Sequence, residues 1–212
     1  MNTISKITFN AAILFVSLSL APSCSNSNAN DSKDSKDVAE EINEDKFNRE
    51  GEKDADRLND AYVTGLYEIK ASEQAVTRAT TAEVKKLAEM MIQSHKKMNT
   101  DIQDLATKKN ITLATDITDE LNRKMDKLNE KNGLDYDKEY TEQMRERHQE
   151  GIKVTERAAD KGEDADIKQW AAASTPQLRA HLDMIESTHN MIKDMKDNEK
   201  DMHSDKNHTT TH

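Results

Sequence analysis

"VKKLAEMMIQSHKKMNTDIQDL", residues 84–105, decides the fold. Its apolar positions, Val84, Ala88, Met91, Met98, Ile102 and Leu105, recur in steps of three and four, the period that lines one face of an α-helix. His95 stands on the same stripe, where another leucine or methionine would serve a core better. The pattern predicts a core-facing helix that carries one polar group inward.

The same rhythm recurs in three other segments. One runs Leu58, Ala61, Gly65, Glu68, Ser72, Ala75, Ala79, flanked by Tyr62, Ile69 and Val76. Another runs Tyr140, Met144, His148, Gly151, Thr155, Ala158. The last runs Ala171, Ser174, Leu178, His181, Ile185, Thr188, Ile192, Met195. Each stripe holds a polar residue near its middle: Glu68, His95, His148 and His181. Helices over about 52–79, 82–108, 136–161 and 164–195 put these four at compatible depths, given about 1.5 Å of rise per residue. Short links near Thr80 and Gly162 predict two antiparallel hairpins. The long connection from Asn110 to Asp135 contains an amphipathic stretch, "DELNRKMDKLNEKN". The expectation is an all-α four-helix bundle with a long helical crossover between the second and third helices.

Composition agrees and excludes alternatives. Only 4% of residues are aromatic, and five glycines and two prolines are too few for the turns of a β-rich chain. The net charge of -10 is spread through mixed-sign sequence. With no basic patch to release counterions, nucleic acid is excluded as a partner. No phosphate loop, nucleophile elbow, dinucleotide fingerprint or Cys-His pairing is present, so no catalytic residue is assigned.

The ends read differently. "MNTISKITFNAAILFVSLSLAPSCSNSN" carries Lys6, an apolar run from Ala11 to Leu20 and then small residues up to Cys24, the only cysteine. The run is too short to span a bilayer stably and has the form of an export signal. Residues 1–24 are expected to be a lipoprotein signal with Cys24 as the lipidated residue, although Ala21 and Pro22 depart from the usual pattern; cleavage by an ordinary signal peptidase is the alternative. The protein would then sit in the cell envelope, in the periplasm or at the cell surface, as an outer-membrane lipoprotein anchored through its lipid. Residues 25–50 read as a disordered polar tether, residues 51–196 as the helical domain and residues 197–212 as a disordered tail. The tail histidines, His203, His208 and His212, are too irregularly spaced to define a metal site.

Three segments, "GLYEIKASEQAVTRATTAEVKKLAEMMIQSHKKMN", "LDYDKEYTEQMRERHQEGI" and "IKQWAAASTPQLRAHLDMI", resemble the bacterial outer-membrane protein family known as domain of unknown function 4142. The resemblance runs from about Phe47 to Met195. It implies a ferritin-like bundle, and the positions matching the family pattern are Glu68, His95, Tyr140, His148, Pro176 and His181. Ser94 stands where that pattern has an aspartate. The resemblance implies no activity.

Three imidazoles and a carboxylate on four helices suit a transition metal such as Zn, Fe or Cu, with Glu68, His95, His148 and His181 as ligands. A ferritin-type di-iron centre would need Glu-x-x-His on two helices. Only Glu186–His189 has that spacing, which disfavours di-iron chemistry. Met91, Met98, Met144 and Met184 lie within a turn of the histidines; they suit soft Cu(I), and they equally suit ordinary core packing. The alternative to a metal is a structural or interaction module whose buried polar layer fixes helix register.

Overall fold

The structure is a computed structural model that describes residues 33–208, the side chains of 200–208 excepted. The expected signal segment and Cys24, the first part of the tether and His212 lie outside the described residues. The described chain is all α, in six helices: α1 (Ser35–Lys46), α2 (Arg49–Arg78), α3 (Ala82–Lys109), α4 (Asp119–Asn129), α5 (Gly133–Lys161) and α6 (Ala165–His208).

Two antiparallel hairpins form the body, α2 on α3 and α5 on α6; α2 also packs on α5, and α3 on α6. A buried aspartate holds each hairpin turn from the opposite hairpin. Asp137 on α5 accepts from the Thr80 and Thr81 amides, both at 2.8 Å. Asp54 on α2 accepts from the Glu163 and Asp164 amides at 2.7 and 2.8 Å. Amides at a helix start have no partner inside the helix, so a carboxylate placed there satisfies them and favours the positive end of the helix dipole. Asn110 ends α3 in the left-handed conformation (φ 57°), and the next amide turns back to the Ala106 carbonyl at 2.9 Å. The amphipathic stretch of the long connection is α4, which buries Leu121 and Leu128.

Two stretches differ from the expectation drawn from composition. Ser35–Lys46, inside the polar segment read as a tether, is helix α1. It is capped by Asp34 and buries Ala39 and Asn43. Asn43 holds the backbone of Thr112 from both sides, accepting from its amide and donating to its carbonyl, each at 2.8 Å. Polar anchoring of this kind leaves no apolar stripe in the sequence. At the other end α6 continues to His208, where no glycine or proline interrupts the helix.

Apolar packing is divided in two. One cluster includes Tyr67, Ala71, Val84, Met91, Tyr136, Tyr140, Met144 and Ile185. The other gathers Leu58, Tyr62, Ile102 and Ala106, with Trp170 packed against it. On α3 His95 falls between Met91 of the first cluster and Ile102 of the second, and on α6 His181 falls between Trp170 and Ile185. The bundle thus has a polar storey between two apolar ones.

Candidate metal centre

Glu68, His95, His148 and His181 meet in that storey, one from each long helix, and all four are buried. The structure therefore brings together every side chain that the stripes single out. It does not give them equal roles. His95 Nε2 lies 3.3 Å from His148 Nε2, and His148 Nε2 lies 3.3 Å from His181 Nδ1. One nitrogen from each ring falls within 4.8 Å of the others, the only such group of three potential ligands among the described residues. Glu68 stands behind this group, with Oε2 3.0 Å from His95 Nδ1 and Oε1 3.1 Å from His148 Nδ1.

Hydrogen-bond chemistry sets the tautomers. A carbonyl only accepts, and the Met144 carbonyl is 2.9 Å from His148 Nδ1, so that nitrogen carries a hydrogen. Burial alone would raise the Glu68 carboxyl, but the His95 and His148 imidazoles outweigh it and hold the group well below the usual carboxylate range. Glu68 is then an acceptor for His95 Nδ1 as well. Each ring has one hydrogen to give when neutral, so both Nε2 atoms present lone pairs to one another. Two lone pairs at 3.3 Å repel unless a proton or a cation lies between them. For three nitrogens about 2.0–2.1 Å from a tetrahedral Zn²⁺, the edges are about 3.3–3.4 Å. Two edges of the triad already have that length.

The remaining imidazole is adapted differently. Burial, followed by the charges of His95 and His148, pushes His181 down to about 4 against the pull of Glu68. It is therefore neutral near pH 7, as a metal ligand must be. For His148 burial is the largest influence and lowers it, but Glu68 and the Met144 carbonyl together carry it above the ordinary histidine value. His181 Nε2 is 2.9 Å from Ser94 Oγ, which accepts from Gln177 Nε2 at 2.7 Å. Ser94 thus orients His181 as Glu68 orients the other two rings. Ser94 lies off the apolar stripe, so only the antiparallel register of α3 and α6 could have exposed this role.

The other candidates fall elsewhere. His189 bonds Thr141 at 3.0 Å and faces Glu142 at 3.4 Å, outside the triad, so Glu186–His189 builds no second metal half-site with it. Met91 and Met144 belong to the apolar cluster, whereas Met184 is exposed. Tyr140 is buried and its hydroxyl meets Ser72 at 2.9 Å, a link between α5 and α2. Pro176 lies within α6.

An all-α body of packed helical hairpins with a buried histidine triad that could hold a metal is the class of protein these features define. Residues 40–188 match the family described as "Domain of unknown function (DUF4142)", and the chain belongs to that family. A solved structure with a similar fold is a DUF305 protein of Streptomyces coelicolor, described as a candidate secreted protein. It is 18% identical, with a TM-score of 0.51 over 68% of this chain and 91% of that one. No curated protein matches the chain.

Proposed function

We propose that this protein is a ferritin-like metal-binding bundle of the bacterial cell envelope, with His95, His148 and His181 as ligands to one transition metal and Glu68 and Ser94 orienting them. The observation that carries the reading is the convergence of one nitrogen from each of three buried imidazoles within 4.8 Å, with His95 Nε2 and His148 Nε2 3.3 Å apart and the opposite nitrogens held by Glu68 and the Met144 carbonyl. A metal-free layer needs a proton between these facing nitrogens, whereas a metal takes a lone pair from each of the three rings. A metal resolves the arrangement, and its binding energy adds to folding energy. The donor set of three imidazoles suits Zn, Cu or Fe. The connection through α4 between the hairpins supports the ferritin-like bundle with a long crossover.

Export and lipidation at Cys24 are part of the same proposal and rest on the N-terminal sequence. The described helices include none long and apolar enough to cross a membrane, and the S. coelicolor protein of similar fold is described as a candidate secreted protein. A lipid would supply the membrane attachment.

Metal content of the untagged mature chain tests the reading, with one equivalent of Zn, Cu, Fe or Mn expected per chain. His95→Leu should abolish binding, and His203→Asn in the tail should not. Absence of stoichiometric metal from the wild type under saturating supply overturns it and leaves a structural or interaction module. Cys24→Ser should release the protein from the membrane fraction; unchanged partition overturns the anchor.

A further inference from the structure

The two hairpins repeat one another at an offset of 83 residues, which pairs Asp54 with Asp137, Thr80 with Glu163 and Thr81 with Asp164 at the turns. The ion pair of Lys96 with Glu73 recurs at the same offset as Arg179 with Glu156. One groove breaks the repeat. In the first hairpin Asn59 accepts from the Ala114 amide at 2.9 Å, and Ile111 and Leu113 pack against the cluster of Leu58, Tyr62, Ile102 and Ala106, so the start of the crossover covers this part of the α2–α3 face. The counterparts of Asn59, Tyr62 and Ala106 in the second hairpin are Glu142, Arg145 and His189. They line an open groove of about 670 Å³ between α5 and α6.

Cations separated in the sequence by most of two helices converge in this groove: Lys131, Lys138, Arg145, Lys193 and Lys196. Its three carboxylates are already taken. Lys196 pairs with Asp135, Arg145 with Glu142 at 2.6 Å, and Lys127 reaches Glu139 from α4 at 2.9 Å. Lys131, Lys138 and Lys193 are left without an ion pair among the described residues, on a chain whose net charge is -10. Arg145 Nε is shielded from water and has no hydrogen-bond partner. His189, held at Nδ1 by Thr141, registers the excess: burial lowers it first, Glu142 pulls it up, and Arg145, Lys138 and Lys193 push it down, leaving it below the ordinary histidine value. Ammonium groups are point charges with three donors each and suit the spread oxygens of a phosphate, whereas the planar fork of Arg145, which would suit a carboxylate, is engaged by Glu142. We propose that this groove binds a phosphate-type oxyanion of two or more charges, with Lys131, Lys138 and Lys193 supplying the attraction. The groove is wide enough for a diphosphate or a phosphorylated headgroup. It contains none of the triad histidines, so the inference stands apart from the metal reading.

Pyrophosphate is the probe. It is titrated into the untagged mature chain at low ionic strength, with calorimetry for affinity and the ring resonances of His189, assigned by His189→Asn, for location. The expected result is saturable binding that salt weakens, together with a rise in the His189 pKa as the anion offsets the cations around that ring. Lys138→Gln combined with Lys193→Gln should weaken pyrophosphate by about 100-fold, about tenfold for each lost charge-assisted contact. Lys97→Gln combined with Lys153→Gln removes the same charge from exposed positions outside the groove and should leave the affinity unchanged. Absence of saturable binding overturns the proposal, as does an equal loss in the two double variants, which would reduce the effect to net charge. A saturable isotherm without a response at His189 overturns the location. Vesicles of phosphatidylcholine containing phosphatidic acid, with phosphatidylcholine alone as the blank, are then added to the complex. Displacement of pyrophosphate assigns the groove to a lipid headgroup, and retention assigns it to a free phosphate; the site stands in both cases.

Discussion

His95 and His148 confront each other across 3.3 Å, Nε2 to Nε2, and Glu68 touches the far nitrogen of both. One carboxylate thereby sets the electronic state of two rings on two other helices. Glu68→Gln should be the most informative conservative change. An amide can accept from one ring N–H but must turn its own N–H₂ toward the other, forcing a different tautomer or a lost bond. Metal affinity should fall by about 10–100-fold, measured by competition with a chromophoric chelator, while helical content stays at the wild-type level. Equal affinity in the two proteins would remove Glu68 from the centre.

Acid should act on the metal-free protein through His181. Its folded value, about 4, lies below the ordinary 6.5 because burial and then the charges of His95 and His148 oppose protonation. A group of this kind contributes stability above its unfolded value and loses it as pH falls toward the folded one. His148 shifts the other way, so its contribution is present below the ordinary value and fades as pH rises through the folded one. The chelated wild type should therefore lose melting temperature between about pH 6.5 and 4 by an amount that His181→Asn reduces. Parallel curves for the two proteins would contradict this.

The stripes made the hairpins and the four polar residues legible, because a period of 3.6 survives in sequence whatever packs against it. His95 and His181 were found in this way. The partition of roles was not legible. Whether Glu68 meets the metal or the back of two rings depends on which imidazole nitrogen faces the axis, a matter of ring rotation that helix spacing does not encode. Ser94 escaped because its partner His181 lies 87 residues away and its own position is off the stripe. Helix α1 escaped for a related reason: Asn43 and Ser35 tie it to the crossover through Thr112 and Asp116, and a helix held by polar bonds looks like a tether in composition.

Asp54 and Asp137 should act alike at the turns and be remote in function, with Asp54 also pairing with Arg57 at 2.8 Å. Each is buried, and each satisfies two amides at the opposite hairpin turn. Replacing either with alanine leaves those donors without the carboxylate and should cost about 2–4 kcal/mol, read from urea unfolding. Metal stoichiometry should not change, since neither residue touches the triad. A cost below about 0.5 kcal/mol would mean that water replaces the carboxylate at the turns.

Asp56 on α2 is a place where the chain opposes its own fold. Its Oδ1 is buried with no hydrogen-bond partner. Burial first, then the charges of Glu40, Glu52 and Asp60, raise its carboxyl to about 6, and Lys36 opposes them only in part; Lys36 is itself paired with Glu40 and with Asp60. A folded value above the unfolded one means that this group favours folding below the unfolded value and loses that contribution as pH rises through about 6. At pH near 7.5 the charged Asp56 is a net cost, which Asp56→Asn relieves without changing shape. Because the residue is partly exposed, solvent screening limits the gain to less than about 1 kcal/mol. The expected result is a higher melting temperature for Asp56→Asn at pH near 7.5 and none of that advantage near pH 4, where the wild-type carboxyl is already protonated. Equal melting temperatures at the higher pH would show that the acidic neighbours and the burial do not act on Asp56.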